Sequence, residues 1–408
     1  MGDIRALKCR ECGKEYLPDF LYICEDCFGP LDVLYTFTDN ITKQTFENRS
    51  DLTYWRYFEI LPITHKKNIV SLNGSITPLQ KADNLGYAIG ELKNLYIKND
   101  SVNPTFSFKD RPAGVAVSKA KEMNLSAVGC ASTGNLASST AAHASKAQLP
   151  CYIFAPFDLE HVKIAQTLAY GAKFIAVDGT YDDANRLASV IGDSNGYGIV
   201  NINMRPYYVE GSKTLAFEVL EQLNWTVPDV LVIPVGSGAM LNSICKGFEE
   251  MMDLGIIPDI SNLKIIAAQP DGCSPIVDAY KKDSNEVLPV ELPDTIAKSL
   301  AIGDPGDGLY VLKRLKQYHG IGEKVSDDEI KQAILLLART EGIFTEPAGG
   351  VSVGVLKKLF DEGKIDKDEK IVCYVTGNGL KTTESIISLL PSLNPVKPDI
   401  RLISTLIN

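Results

Sequence analysis

Asn103-Pro104-Thr105-Phe106-Ser107-Phe108-Lys109-Asp110-Arg111-Pro112 sets a lysine among aromatic residues at the point where a loop turns into a helix. Pro112 falls in the first helical turn, where its missing N–H costs nothing, and the segment from Arg111 to Met123 is helix-compatible. Upstream, the apolar run Leu95-Tyr96-Ile97 reads as a buried strand. Strand, loop and helix in that order form half of a parallel βαβ unit. An amine at the junction is a candidate Schiff-base nucleophile. Partial desolvation by Phe106 and Phe108, and the positive end of the helix dipole, would both disfavour its protonated form. The competing reading makes Lys109 half of a surface ion pair with Asp110.

The same alternation extends outward from this stretch. Apolar strand-like runs occur at Ala127 to Cys130, Cys151 to Ala155, Phe174 to Val177, Val230 to Pro234, Ile265 to Ala268 and Ile371 to Val375. Helix-compatible segments lie between them, at Leu136 to Gln148, Ser212 to Leu223 and Asp327 to Glu341, the last followed by Gly342 as a C-terminal stop. Parallel sheets covered by helices follow, and 408 residues are too many for one core. The fold class expected is α/β with two doubly wound domains. Residues 76–100 plus 205–408 are assigned to a large domain and 101–204 to a small one. Residues 36–75 form an arm whose aromatics Tyr54, Trp55, Tyr57 and Phe58 pack onto the body.

A formal net charge of −10 argues against wholesale binding to nucleic acid or to an anionic membrane. Residues 1 to 30 carry no apolar leader, and no stretch is long enough to cross a bilayer, so a cytoplasmic location is expected. Five of the nine cysteines (Cys130, Cys151, Cys245, Cys273 and Cys373) lie in apolar surroundings and read as buried thiols. The other four form Cys9-x-x-Cys12 and Cys24-x-x-Cys27, two tandem knuckles that a short hairpin would bring face to face around a tetrahedral ion. Residues 1–35 are therefore expected to be a zinc-ribbon-like segment, although the ligands alone leave iron open. Of the four histidines, none sits in a nucleophile or metal motif, which removes a hydrolase triad from consideration.

Three strands end in turns of small and hydroxyl residues. Ala131-Ser132-Thr133-Gly134-Asn135 offers amides and hydroxyls that suit a carboxylate or phosphate. Pro234-Val235-Gly236-Ser237-Gly238-Ala239-Met240 allows the backbone to close around a phosphate. It lacks the third glycine and the later acidic residue of a nicotinamide fingerprint, since the following strand ends at Gln269. Val375-Thr376-Gly377-Asn378-Gly379 supplies a hydroxyl. Open α/β sheets bind ligands at the C-terminal ends of their strands, where all of these fall. A ligand with one aldehyde, one phosphate and one ring nitrogen would use the whole set, and pyridoxal 5′-phosphate is that ligand. Lys109 would take the aldehyde, Gly236, Ser237, Gly238, Ala239 and Met240 the phosphate, and neutral Thr376 the ring nitrogen.

The runs Thr77-Pro78-Leu79, Asn103-Pro104 with Ser107-Phe108-Lys109-Asp110-Arg111, and Ser132-Thr133-Gly134-Asn135 resemble threonine synthase of the fold type II pyridoxal-phosphate family. So do Glu210-Gly211-Ser212-Lys213-Thr214, Glu341-Gly342-Ile343-Phe344 with Glu346-Pro347-Ala348, and Thr376-Gly377-Asn378-Gly379-Leu380-Lys381. The resemblance runs in unbroken order from about residue 75 to 385, and the cysteine ribbon is similar to that of archaeal-type members. It implies a tryptophan synthase β-like architecture and β,γ-replacement on O-phospho-L-homoserine, giving L-threonine and phosphate. It further implies that Lys109 shuttles protons and that Asn135 meets the cofactor's 3-hydroxyl. Ser107, Ser132 and Thr133 would contact substrate, and fold relatives are commonly homodimers.

Three positions depart from the common pattern. Pro112 replaces a glycine, Gly236 to Met240 replaces a Gly-Asn-Ala-Gly-Asn loop, and Asn203-Met204-Arg205-Pro206 stands where many members carry Asn-Pro-His-Arg. Arg205 is the candidate for the substrate phosphate, in a shifted register. The alternatives are a cysteate synthase-like lyase acting on a phosphorylated amino acid, a serine/threonine dehydratase, a cysteine synthase and, from another class, a zinc-ribbon regulatory protein on an inactive scaffold.

Overall fold

Strands that are apolar at every position need cover on both faces, and the central strands of the large parallel sheet of this chain have it. The computed structural model describes residues 3–37, 40–132, 134–157, 161–392, 395, 396 and 398, with the side chains of 161–163 left aside. At the N-terminus β1 (Asp3–Cys9) pairs antiparallel with β2 (Glu15–Tyr16) and β3 (Leu31–Thr36). The chain then contributes β4 (Leu79–Lys81) and β5 (Asn94–Asn99) to one sheet. It makes β6 (Val128–Ala131), β7 (Cys151–Pro156), β8 (Lys173–Val177) and β9 (Gly198–Ile199) in a second. It returns to the first with β10 (Val230–Pro234), β11 (Lys264–Pro270), β12 (Ile321–Val325) and β13 (Lys370–Val375).

The six-stranded order is β12-β11-β10-β13-β5-β4, parallel except for β4 at the edge, and the four-stranded order is β8-β7-β6-β9, all parallel. Period-two alternation splits the large sheet's residues between two cores. Leu231, Ile233, Ile265, Ala267, Val372 and Tyr374 enter one cluster, whereas Val230, Val232, Ile266, Ala268, Ile371, Cys373 and Val375 enter the other. Helices cover both faces, which is the doubly wound arrangement. Because β10, β13 and β5 are parallel neighbours, their C-terminal loops emerge side by side.

Some elements differ from the sequence reading. The expected helix Ser212 to Leu223 is two helices, Arg205–Ser212 and Thr214–Gln222, meeting at Lys213. Pro206 sits in the first turn of the earlier one, where it favours helix initiation. β12 carries Gly322, Glu323 and Lys324 and has no apolar signature. It forms as an edge strand whose buried Glu323 is neutralised by Lys281 at 2.5 Å and Lys358 at 3.2 Å. The arm aromatics Tyr54, Trp55, Tyr57 and Phe58 are buried, with Tyr57 packed 5.3 Å from Phe217. The five isolated cysteines are buried, and burial pushes their thiols up, Cys130 and Cys245 to about 12.

Candidate active site

The loop that carries Lys109 is laced by backbone bonds to the turn after β13. Phe108 N–H donates to Thr376 O at 2.8 Å, and Asn378 N–H donates to Phe106 O at 3.0 Å. Glu346 N–H, from a third segment, donates to Gly377 O at 3.0 Å. At Gly377 the backbone runs close to the Glu346 carboxyl group, and a Cβ there would lie 2.4 Å from its carboxyl carbon and force that side chain to move. Three loops distant in sequence are thus held at fixed spacing on one edge of the large sheet.

Lys109 immediately precedes the helix Asp110–Glu122. Its Nζ donates to Tyr208 Oη at 2.8 Å and lies 4.7 Å from the centroid of the Phe108 ring. Asp110 is not its partner. That carboxylate is 2% exposed and accepts from Thr105 N–H and Oγ1, each at 2.7 Å, and from Ser139 Oγ at 2.6 Å. The surface ion-pair reading fails, since Asp110 is occupied in clamping the loop to the helix Asn135–Ala147. Phe106 departs from its expected part: it is half exposed, at φ +65°, and the rings against the amine are those of Phe108 and, at 5.5 Å, Tyr208.

Lys109, Asn135, Ser132, Thr376, Arg205 and the stretch from Gly236 to Met240 all line one cavity of about 1330 Å³. Gly236 to Gly238 lead from β10 into the helix Ala239–Asp253. Among the described residues, the N–H groups of Gly236, Ser237 and Gly238 donate to no protein acceptor. Gly238 adopts φ +95°, and a Cβ there would lie 2.7 Å from Val311 Cγ2. Free amides at a helix N-terminus form an anion cradle. With the Lys109 amine and the Thr376 hydroxyl in the same cavity, the donor set fits pyridoxal 5′-phosphate.

Asn135 Nδ2 donates to Glu346 Oε2 at 2.8 Å, and its Oδ1 accepts from Lys381 Nζ at 2.8 Å. Thr376 Oγ1 reaches Glu346 Oε1 at 3.3 Å. Burial holds the Lys381 ammonium below its usual pKa, against the opposing pull of Glu346 and Asp110. Ser132 Oγ accepts from Gly134 N–H at 3.3 Å. Ser107 is fully buried, its Oγ meets no partner among the described residues, and it is not among the cavity-lining residues. Thr133 lies outside the described residues. Arg205 opens the helix that carries Tyr208. Three residues apart, the two share a helix face.

The four ribbon cysteines converge. Their Sγ atoms all lie within 4.8 Å of one another, with Cys9 to Cys27 at 3.4 Å and Cys12 to Cys24 at 3.6 Å. A tetrahedron of thiolates at a zinc–sulfur distance of about 2.3 Å has edges of about 3.8 Å, so the set matches such an ion. Ribbon residues Tyr22, Ile23, Phe28 and Pro30 line the same cavity as Lys109.

A family model described as pyridoxal-phosphate dependent enzyme matches residues 70–377. A threonine synthase from Methanocaldococcus jannaschii is 40% identical over 395 residues, 96% of each chain, and one from Methanosarcina acetivorans is 38% identical over 94% of each. The chain belongs to the threonine synthase family. Among solved structures, diaminopropionate ammonia lyase from Escherichia coli matches with a TM-score of 0.66 at 19% identity, over 82% of this chain and 92% of that one. Threonine deaminase isoform 2 from Solanum lycopersicum gives 0.65 at 23%, over 78% and 84%. These two likenesses carry the fold, which is the fold type II architecture.

Membership of the threonine synthases makes the chain a pyridoxal-phosphate-dependent lyase of threonine biosynthesis. No helix among the described residues is long and apolar enough to cross a membrane. Sequence reasoning gave no role to Tyr208, Glu346, Lys381 or Asp307. Glu346 and Lys381 stand inside runs that carried the family resemblance, which was a signal of sorts. Tyr208 follows Arg205 in the run that departs from the family pattern, and Asp307 is the residue that precedes the helix Gly308–Gln317, where an aspartate reads as a cap.

Proposed function

We propose that this cavity converts O-phospho-L-homoserine and water to L-threonine and phosphate. The observation that carries the reading is the shared cavity of Lys109, the free amides of Gly236 to Gly238, and Thr376. When bound, pyridoxal 5′-phosphate supplies an electron sink for charge developing at the substrate's Cα. Lys109 would hold the cofactor through its aldehyde, and its side-chain amine moves protons at the substrate's Cα and Cβ. Tyr208 Oη orients that amine. The Gly236 to Met240 backbone binds the cofactor phosphate at the helix N-terminus, and Thr376 Oγ1 meets the ring nitrogen with a neutral group. Asn135 meets the 3-hydroxyl. Ser132 and Thr133 receive the substrate carboxylate, Arg205 receives its phosphate, and Phe108 excludes water from one side of the amine.

The test is phosphate release compared on O-phosphohomoserine, phosphoserine and threonine. The first is the expected substrate, and equal or faster turnover of phosphoserine overturns the assignment. Lys109→Ala should lose both the visible absorption of the bound cofactor and turnover. Protein that stays colourless with added cofactor rules the cofactor site out.

Cys9, Cys12, Cys24 and Cys27 hold one structural zinc in this reading. Metal analysis of Cys9→Ser against the parent should show a loss of about one zinc per chain. Iron in the parent protein would replace zinc in the assignment.

A further inference from the structure

Arg10, between the first two ribbon cysteines, is tied to the substrate end of the cleft. Its Nε and Nη2 are bidentate on Asp32 at 2.6 and 2.7 Å, and its Nη1 donates to Asp307 Oδ1 at 3.0 Å. The guanidinium lies 4.9 Å over the Tyr310 ring. Asp307 is 2% exposed, and its other oxygen accepts from Arg205 Nη2. Its backbone is fixed as well, since Asp307 N–H donates to Ser237 O at 3.0 Å and joins it to the anion cradle. One buried carboxylate therefore serves two guanidiniums, one from the ribbon and one from the cavity wall.

A carboxylate removed from water holds a sole cationic partner tightly, and breaking that pair is costly unless another cation stays behind. For Arg205 to turn to a substrate phosphate, it must release Asp307. We propose that Arg10 is a positioning residue for substrate binding: it keeps Asp307 compensated, so that Arg205 can exchange this carboxylate for the phosphate. The ribbon is then a working wall of the active site, and Asp32 holds Arg10 in register. This inference rests on the reading of Arg205 as the phosphate contact.

The experiment compares holoenzymes of the parent, Arg10→Ala, Arg10→Ala with Asp307→Asn, and Arg205→Met. It reads kcat and KM for O-phosphohomoserine, and the affinity for inorganic phosphate by calorimetry. Arg10→Ala should raise KM about tenfold with kcat within about twofold, because Asp307 then holds Arg205 alone. Adding Asp307→Asn should return KM to within about threefold of the parent, since a neutral amide does not compete for Arg205, and phosphate affinity should move in parallel. A purely structural role for Arg10 predicts no such recovery. An unchanged KM in Arg10→Ala, or a double variant as impaired as the single one, overturns the proposal. If Arg10→Ala loses its metal or fails to fold, Arg10→Lys takes its place. It keeps one charge but not the bidentate fork, and should raise KM about threefold, again reversed by Asp307→Asn. An unaltered KM in Arg205→Met overturns the phosphate reading itself; a raised KM there with none in Arg10→Ala removes only the role of Arg10.

Discussion

Arg111 and Arg205 both stand in motif-like runs of the sequence, and the structure gives them opposite surroundings. Arg111 is 1% exposed with its donors engaged: Nε on Asp100 at 2.6 Å, Nη1 on Glu218 at 2.5 Å and Thr214 at 3.0 Å, Nη2 on Glu218 at 2.7 Å and Thr77 at 2.8 Å. Lys98 completes the group at 2.6 Å from Glu218. The network ties the start of the helix Asp110–Glu122 to the end of β5 and to the helix Thr214–Gln222, and so fixes where Lys109 stands. Arg205 is 22% exposed in its side chain and hydrogen-bonds Asp307 alone among the described residues. A guanidinium whose donors the protein has used is scaffold; one with donors left facing a cavity is available to a ligand.

Removing the arginine tests that contrast most severely at the buried site. Arg111→Met leaves Asp100 without a cation in the interior and Glu218 with Lys98 alone, and breaking a buried pair in this way costs about 3–5 kcal/mol. A large fall in the urea midpoint should follow. Arg205→Met leaves a carboxylate that Arg10 still neutralises, so stability should stay within about 1 kcal/mol of the parent. Its cost should appear as a KM for O-phosphohomoserine raised about tenfold or more. Equal destabilisation by both substitutions would erase the distinction between the two networks.

The sequence made one of these regions far more legible than the other. Lys109, the Gly236 to Met240 turn and Thr376 meet in one cavity as the strand pattern implied, because each is carried by a segment that follows an apolar strand, and parallel neighbours place the C-terminal ends of those strands on one edge. The convergence of the four ribbon cysteines was readable from spacing alone. Where the ribbon docks was not, because its ties are long-range: Arg10 is 297 residues from Asp307, and Tyr22 reaches Asp193 across 171. Tyr208 meets Lys109 from 99 residues away, through a helix that no local pattern aimed at the cleft. β12 escaped for a different reason, since its edge position and paired Glu323 remove the need for an apolar run.

The same buried network should also set a slope of stability with pH. Arg111 and Lys98 hold the buried Glu218 carboxyl down, at about 2. A carboxylate with a depressed folded-state pKa binds fewer protons when folded than when unfolded, so its stabilisation is complete above the unfolded value of about 4.3 and is lost as pH falls toward about 2. The parent should therefore lose stability progressively across that window. Glu218→Gln should start from lower stability at neutral pH, because Arg111 and Lys98 then face an uncharged amide, yet it should decline less steeply between about pH 4.3 and 2. Arg205→Met should keep the parent's slope, since it leaves the buried network untouched. Urea midpoints measured at half-unit pH intervals decide the matter. Parallel curves for the parent and Glu218→Gln would place the acid-sensitive charge elsewhere and deny the Arg111 network its role as the scaffold's electrostatic anchor.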